Sequence, residues 1–190
     1  IALGVMAIPV VCHELERLTY VVRRILAFLG TSDARAEISF QLQQSLVAVG
    51  TGGLFGVGFG EGRQQYGFLP YPYSDFIGSN VGEEWGFVGL TALTAAYALY
   101  TFLGFRIARQ ARTPFLRYVA LGLTVVTALT AYLHIGVVVG LLPTTGLTLP
   151  FVSYGRSNLV LSFLMTGVLV NIGSERQRIV GETATDPLAA

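Results

Sequence analysis

The sequence predicts an all-α polytopic membrane protein with about five transmembrane helices and two ordered extracytoplasmic loops. Three observations support this fold class: 53% of the residues are hydrophobic against 12% charged, uncharged runs are long, and most arginines lie at the ends of those runs. A soluble domain carries about a quarter charged residues, roughly twice this share. The composition therefore indicates a chain that is embedded in a bilayer over most of its length.

Five segments are candidates to span the bilayer, which requires about 20 apolar residues each. They comprise residues 1–12, 38–60, 85–105, 118–142 and 157–174. The first is short and has no initiator methionine before it, so we expect the chain to be a fragment. The second begins with the polar run "ISFQLQQS" and is expected to face protein or water rather than lipid.

The arginines orient these segments, because cytoplasmic connections of membrane proteins are enriched in Lys and Arg. Arginines follow the first, third and fifth segments, which places those connections on the cytoplasmic side. Residues 1–174 are thus the predicted membrane domain, and residues 175–190 are a cytoplasmic tail that we expect to be disordered. Residues 50–87, the first outer loop, and residues 140–158, the second outer loop, connect the segments on the opposite, outer side.

Composition also excludes several classes of function. A formal net charge of +1, with no single basic patch, gives no reason to expect a nucleic-acid partner. The single cysteine, Cys12, cannot form an internal disulfide, and no Cys/His cluster predicts a metal site. The glycines of the first outer loop match neither the dinucleotide-binding nor the P-loop spacing.

The first outer loop carries Asp75 in the stretch "FLPYPYSDFIGSN". One interpretation makes Asp75 the N-cap of a following helix, worth about 1 kcal/mol. The other makes it a carboxylate in a partly dry site, able to abstract a proton. His134, in the middle of the fourth segment, is interpreted as a hydrogen-bond partner of a neighbouring helix in preference to a proton relay.

The second outer loop, "GLLPTTGLTLPFVSYGRSN", contains no acidic residue and alternates Pro, Gly and Thr with apolar residues. Irregular backbone at membrane depth is tolerated where it lines a cavity or packs against protein. We therefore predict a re-entrant loop beside a cavity, with a tight apolar turn between two helices as the alternative.

The two loops together, in this order and topology, resemble the SEDS family of shape, elongation, division and sporulation proteins, which includes the FtsW and RodA peptidoglycan polymerases. The resemblance covers roughly residues 23–174 and implies the C-terminal half of a bundle of about ten transmembrane helices. The stretch "TGLTLPFVSYG" is similar to the division type of the family more than to the elongation type.

The resemblance implies a glycosyltransferase that polymerises lipid II, an undecaprenyl-diphosphate-linked disaccharide pentapeptide, at the outer face of the bacterial cytoplasmic membrane. The family's outer-loop aspartate matches Asp75 as the general base, and Ser153 in "SYG" matches a polar residue that lines the cavity. Arg63 and Arg156 are our candidates to bind the diphosphate, since Arg suits bidentate phosphate contacts. A divalent cation, Mg or Mn, is the alternative source of positive charge there.

Five positions near the presumed cavity depart from the family pattern. Tyr71 and Tyr73 replace a Glu and a His before Asp75, and Thr145 stands where many division-type members have Lys. Arg156 replaces a common Gly and is a candidate to compensate for that missing Lys. His134 replaces a common Asn.

A division-type polymerase is expected at the septum, with a class B penicillin-binding protein and other divisome proteins as partners. Three alternatives stay open: an elongation-type polymerase, a flippase or transporter of the lipid-linked precursor, and a non-catalytic scaffold of the divisome. A transporter predicts ionisable residues near the membrane midplane, where His134 alone qualifies. The fragment by itself is expected to be inactive, because the other half would complete the cavity.

Overall fold

A computed structural model describes residues 35–62 and 75–185, together with the single residues Thr19, Val22 and Ile25 in helical conformation. The longer described stretches contain five helices. These are α1 (Arg35–Gly52), α2 (Ile77–Glu84), α3 (Gly86–Gln110), α4 (Pro114–Val138) and α5 (Arg156–Thr185). The described residues contain no strand, and the predicted all-α class is confirmed.

Three of these helices have the length and apolar composition to cross a membrane: Gly86–Gln110, Pro114–Val138 and Arg156–Ser174. They correspond to the third, fourth and fifth predicted segments. Helix α4 begins earlier than predicted because the Thr113 hydroxyl caps it, accepting a hydrogen bond from the Leu116 N–H at 3.3 Å. Helix α5 continues to Thr185, beyond the membrane-length stretch Arg156–Ser174.

The second predicted segment, residues 38–60, is longer than the helix it predicted, because α1 ends at Gly52. The chain turns immediately after this point, where Gly53 and Gly56 adopt positive φ values of 55° and 83°. Residues with side chains rarely adopt this conformation, and it cannot continue a right-handed helix. The first predicted segment, residues 1–12, lies outside the described residues.

Helices α3 and α4 are antiparallel neighbours joined by a short connection. They pack tightly at Gly104, where a Cβ atom would overlap the side chain of Thr124. Close backbone contact through a small residue is the usual way in which helices associate in lipid. Near the end that carries the arginines, the inner end, a buried apolar cluster joins α3, α4 and α5; its members are Ala108, Ala120, Leu169 and Ile172.

Large apolar side chains remain exposed along the three membrane-length helices. Those exposed by more than half include Leu99, Phe102, Val126, Leu129, Val160, Phe163 and Leu164. Only 22% of the apolar 18-residue stretch of α3, and 17% of that of α5, is buried inside the bundle. Such surfaces suit contact with lipid or with further helices, as expected of a multi-pass membrane protein.

Candidate functional site

The described part of the first outer loop is held by backbone contacts with the junction between α2 and α3. Four hydrogen bonds of 2.9–3.2 Å make this connection: Val57 N–H to Glu83 O, Gly58 N–H to Glu84 O, Phe87 N–H to Gly53 O, and Val88 N–H to Leu54 O. The prediction that this loop is ordered and folds onto the bundle is therefore confirmed for residues 53–62. Residues 63–74, which include Arg63, Tyr71 and Tyr73, lie outside the described residues.

The glycines of this loop serve the backbone contact. Gly56 has φ 83°, and a Cβ atom there would overlap the carbonyl of Glu84. Gly86 has φ 65°, and its Cβ atom would overlap the backbone of Gly56. Side chains at either position would separate the two segments, so the glycine content has a structural explanation that involves no nucleotide.

Asp75 is half-buried and lies just before α2. The N-cap position of α2 is Phe76, and no side chain caps the helix, so the interpretation of Asp75 as an N-cap is wrong. The reason is that the Phe76 ring is 4% exposed and packs with Val137 and Leu142, which places Phe76 at the helix start. The next residue, Ile77, packs against a second apolar cluster made by α3, α4 and the second outer loop. Asp75 is therefore followed in the chain by two residues whose side chains are anchored in apolar clusters.

His134 lies one turn before the end of α4 and is 1% exposed. Its Nε2 atom accepts a hydrogen bond from the backbone N–H of Gly78 in α2 at 3.3 Å. Its Nδ1 atom lies 2.7 Å from the carbonyl oxygen of Leu147. Because a carbonyl can only accept and an N–H can only donate, these partners assign the neutral ring with the proton on Nδ1. The prediction that His134 bonds a neighbouring helix is confirmed.

The carboxylate of Asp75 lies near enough to His134 for the two side chains to interact electrostatically. The same imidazole bonds Gly78 and Leu147, so His134 joins the turn that follows Asp75 to the second outer loop at one end of the bundle. This end is opposite to the one that carries Arg106, Arg109, Arg112 and Arg117. The structure thus brings together the parts of the two loops that the sequence singles out.

The second outer loop is folded against the helices around Leu149, which is fully buried. The Ser153 Oγ accepts a hydrogen bond from the Leu149 N–H at 2.7 Å, and the Ser153 N–H donates to the Leu149 carbonyl at 3.0 Å. The Asn158 side chain also donates to that carbonyl, at 3.3 Å. Ser153 is 3% exposed, so its hydroxyl shapes the loop from within.

Aromatic side chains fix the following turn. Phe151 has φ 65°, an unusual value for a residue with a side chain. Its ring lies 6.0 Å from the Tyr100 ring and 5.6 Å from the Phe163 ring, measured between centroids. The Tyr97 hydroxyl donates to the carbonyl of Pro150. The loop therefore packs against protein, as expected of irregular backbone at membrane depth.

The sequence interpretation did not single out Tyr97 and Asn158, although both hold the second outer loop. The available signal was a polar atom on each side chain within an otherwise apolar helix. Such atoms usually find a partner when buried, and here the partners are loop carbonyls. Arg156, by contrast, is exposed at the first position of α5, near the C-terminal end of this loop.

A divalent cation would find one candidate ligand among the predicted site residues, the Asp75 carboxylate. Within the described ranges, no group of three or more His, Cys, Asp or Glu side chains is placed to hold a metal ion. The nearby His134 uses both ring nitrogens for backbone contacts.

Two grooves of about 430 and 520 Å³ lie at the inner end of the bundle, away from Asp75. Both are lined by Arg106 and Gln110 of α3, and the larger also contacts Gly173 and Ser174 of α5. Neither contains a predicted site residue, so we do not place the chemistry there.

Comparison with known proteins places this arrangement in a family. Residues 1–178 match the FtsW/RodA/SpoVE family of cell cycle proteins. The probable peptidoglycan glycosyltransferase FtsW of Geobacter sulfurreducens is 40% identical over 174 residues, which are 92% of this chain and 47% of that protein. Stage V sporulation protein E of Bacillus subtilis is 42% identical over 153 residues, covering 80% of this chain and 42% of that protein. The chain thus spans about half the length of these relatives.

A solved structure has the same fold. It comes from a peptidoglycan synthase complex that coordinates polymerization and crosslinking, and one of its chains aligns with a TM-score of 0.64 at 24% identity. The alignment covers 93% of this chain and 49% of that one. At this identity the likeness establishes the fold, and it agrees with a half-length match.

Proposed function

Because this chain belongs to the FtsW/RodA/SpoVE family, we propose that the whole protein is a peptidoglycan glycosyltransferase that polymerises lipid II. The names of its relatives support the class of reaction, and the chain carries about half of their length. The observation that carries the proposal is the placement of Asp75. It is a half-buried carboxylate within electrostatic range of His134, whose imidazole bonds both Gly78 and Leu147 of the two outer loops.

In the proposed reaction Asp75 acts as general base. It takes the proton from the sugar 4-hydroxyl of the acceptor lipid II, and the oxygen forms a bond to the anomeric carbon of the donor. The bond between that carbon and the diphosphate breaks, and undecaprenyl diphosphate leaves with the bonding electrons. The anchored Phe76 supports this role, because a base must be held at a fixed distance from the proton it abstracts.

Charge on the departing diphosphate needs stabilisation, which we assign to Arg156 and Arg63. Arg156 is exposed at the start of α5, three residues after Ser153 in the second outer loop. Ser153 therefore supports the cavity wall by fixing the shape of the loop. A magnesium or manganese ion bound with the substrate would supply further positive charge at the diphosphate.

The proposed setting is the bacterial cytoplasmic membrane at the division septum, with a class B penicillin-binding protein as partner. Two observations support this setting. The relative in Geobacter is an FtsW protein, and the chain of similar fold lies in a complex that couples polymerization to crosslinking.

The test is reconstitution of the full-length protein in liposomes that contain lipid II. A polymerase forms glycan strands, which electrophoresis resolves by length. A transporter instead moves lipid II between the leaflets without forming glycan, and that result would replace the proposal. The bonding of His134 argues against a relay, since both ring nitrogens bind backbone groups.

A further inference from the structure

We propose that His134 is a positioning residue that locks the turn carrying Asp75 against the second outer loop. It touches no reacting atom in the proposed reaction and acts through Gly78 and Leu147. The inference rests on the proposed function, because the consequence for rate follows from the role of Asp75 as base.

The connection from His134 through Gly78 to Asp75 is short and rigid. Gly78 lies three residues after Asp75, and the two residues between them, Phe76 and Ile77, are packed in apolar clusters. A shift of the Gly78 N–H away from His134 would therefore be transmitted to the Asp75 backbone. Apolar clusters of this kind are close-packed and hardly compressible, so they transmit a shift of one residue to its neighbours.

The second hydrogen bond of His134, to Leu147, reaches a rigid part of the second outer loop. Leu147 lies two residues before Leu149, which is bonded by Ser153 and Asn158. The imidazole of His134 thus ties the Asp75 turn to a loop that has its own fixed shape. A second polar contact to α2, between Ser45 and Ser79 at 2.7 Å, ties that helix to α1 and not to the second loop.

The lack of a side chain at Gly78 is part of this arrangement. A Cβ atom there would lie 3.2 Å from His134 Nε2 and 3.1 Å from a methyl carbon of Val138. Both distances are shorter than ordinary contacts, so Gly78→Ala requires α2 or the side chains of His134 and Val138 to shift by a few tenths of an ångström, while the imidazole itself is retained. This substitution provides an independent way to disturb the same contact.

The experiment uses the full-length protein with three substitutions in α4. His134→Leu removes both hydrogen bonds, whereas His134→Gln keeps one acceptor and one donor on a side chain of similar length. Thr127→Val is the matched control, because Thr127 is 1% exposed in the same helix and bonds its own helix backbone at Leu123. Initial rates of lipid II polymerisation give kcat and KM, and hydrogen–deuterium exchange follows the peptide that contains the Gly78 amide.

We expect His134→Leu to lower kcat by about ten- to a hundredfold with KM changed by less than about threefold. Exchange of the Gly78 peptide should accelerate in the same variant. His134→Gln should return kcat to within about fivefold of the unsubstituted protein, and Thr127→Val should change neither quantity. Gly78→Ala should lower kcat, and adding it to His134→Leu should produce little further loss, since both disturb one contact.

Equal kcat values in the Leu and Gln variants would overturn the inference, as would unchanged exchange of the Gly78 peptide in His134→Leu. If His134→Leu fails to fold, the inference is tested in Gly78→Ala by measuring kcat and the exchange of the Gly78 peptide. Retained activity in Asp75→Asn would remove the base and with it the proposed mechanism. Exchange of the Gly78 peptide would still show whether His134 locks the two loops, so the two failures are distinguishable.

Discussion

The Ser153 hydroxyl oxygen accepts a hydrogen bond from the backbone N–H of Leu149 at 2.7 Å, and both residues are buried. Replacing Ser153 by Ala removes this acceptor from a buried donor, which costs about 1–3 kcal/mol. We therefore expect Ser153→Ala to lower the thermal unfolding temperature and to reduce polymerisation. Thermal unfolding in detergent, followed by tryptophan fluorescence, measures the first effect.

Ser162→Ala is the control for this prediction. Ser162 is also buried, but its hydroxyl donates to the carbonyl of Asn158 in its own helix. That carbonyl belongs to the helix backbone and remains in the helical hydrogen-bond pattern after the substitution. An equal loss of stability in both variants would contradict a special role for the Ser153 contact.

Glycine conformation gives a second prediction. Gly86→Ala places a side chain at φ 65° and against the backbone of Gly56, so we expect the first outer loop to separate from α3. Polymerisation by the full-length protein should fall at least about tenfold, because Asp75 lies in that loop. Gly122→Ala is the control, since a Cβ atom at Gly122 meets nothing within 4 Å. Comparable activity in the two variants would rule out the predicted effect.

Membrane orientation gives a third prediction. In the full-length protein with its native cysteines, Cys12 among them, replaced by Ser, Thr145→Cys lies in the second outer loop and Arg112→Cys lies between α3 and α4; both positions are exposed. The arginine distribution predicts that a membrane-impermeant maleimide labels position 145 in intact cells and position 112 after permeabilisation. Labelling at position 112 in intact cells, without labelling at 145, would reverse the orientation and place Asp75 on the wrong side for the proposed substrate.

Arg156 gives a fourth prediction. If its guanidinium binds the diphosphate, Arg156→Gln should reduce kcat/KM by at least about tenfold. Arg156→Lys should recover part of the rate, because lysine keeps the charge and loses the bidentate geometry. Arg112→Gln, at the inner end, removes another exposed arginine and should leave kcat/KM unchanged. Equal rates in the Gln variants at positions 156 and 112 would remove Arg156 from the site.

The sequence predicted the three membrane-length helices because long uncharged runs have few alternatives in lipid. Helix α2 was not predicted as a separate element, since "IGSNVGEE" is only eight residues long and its large apolar side chains are limited to Ile77 and Val81. Its position depends on Phe76 and on the contact between Ser45 and Ser79, which join distant parts of the chain. The predicted end of α1 lay too far along the chain, because the uncharged run continues through the glycines that follow Gly52.

Local patterns were also insufficient for the candidate site. A motif of Ser, Asp and Phe before an apolar run favours an N-cap at Asp75, but burial of the Phe76 ring decides the helix start. Resemblance to a family identified Asp75 and Ser153 as candidates, whereas it gave no partner for either. The bonds of His134 reach Gly78 and Leu147, which are 56 and 13 residues away. Tertiary packing, rather than local sequence, creates the link between the two loops.

The most direct test of the account compares Asp75→Asn with Glu61→Gln in the full-length protein. Glu61 is an exposed carboxylate of the same outer loop, so its substitution controls for loss of negative charge there. Measured as lipid II polymerisation at equal protein levels, Asp75→Asn should lower kcat by at least about a hundredfold, the contribution expected of a general base. Glu61→Gln should stay within about threefold of the unsubstituted protein. Full activity in Asp75→Asn would contradict the central claim that this carboxylate takes the proton.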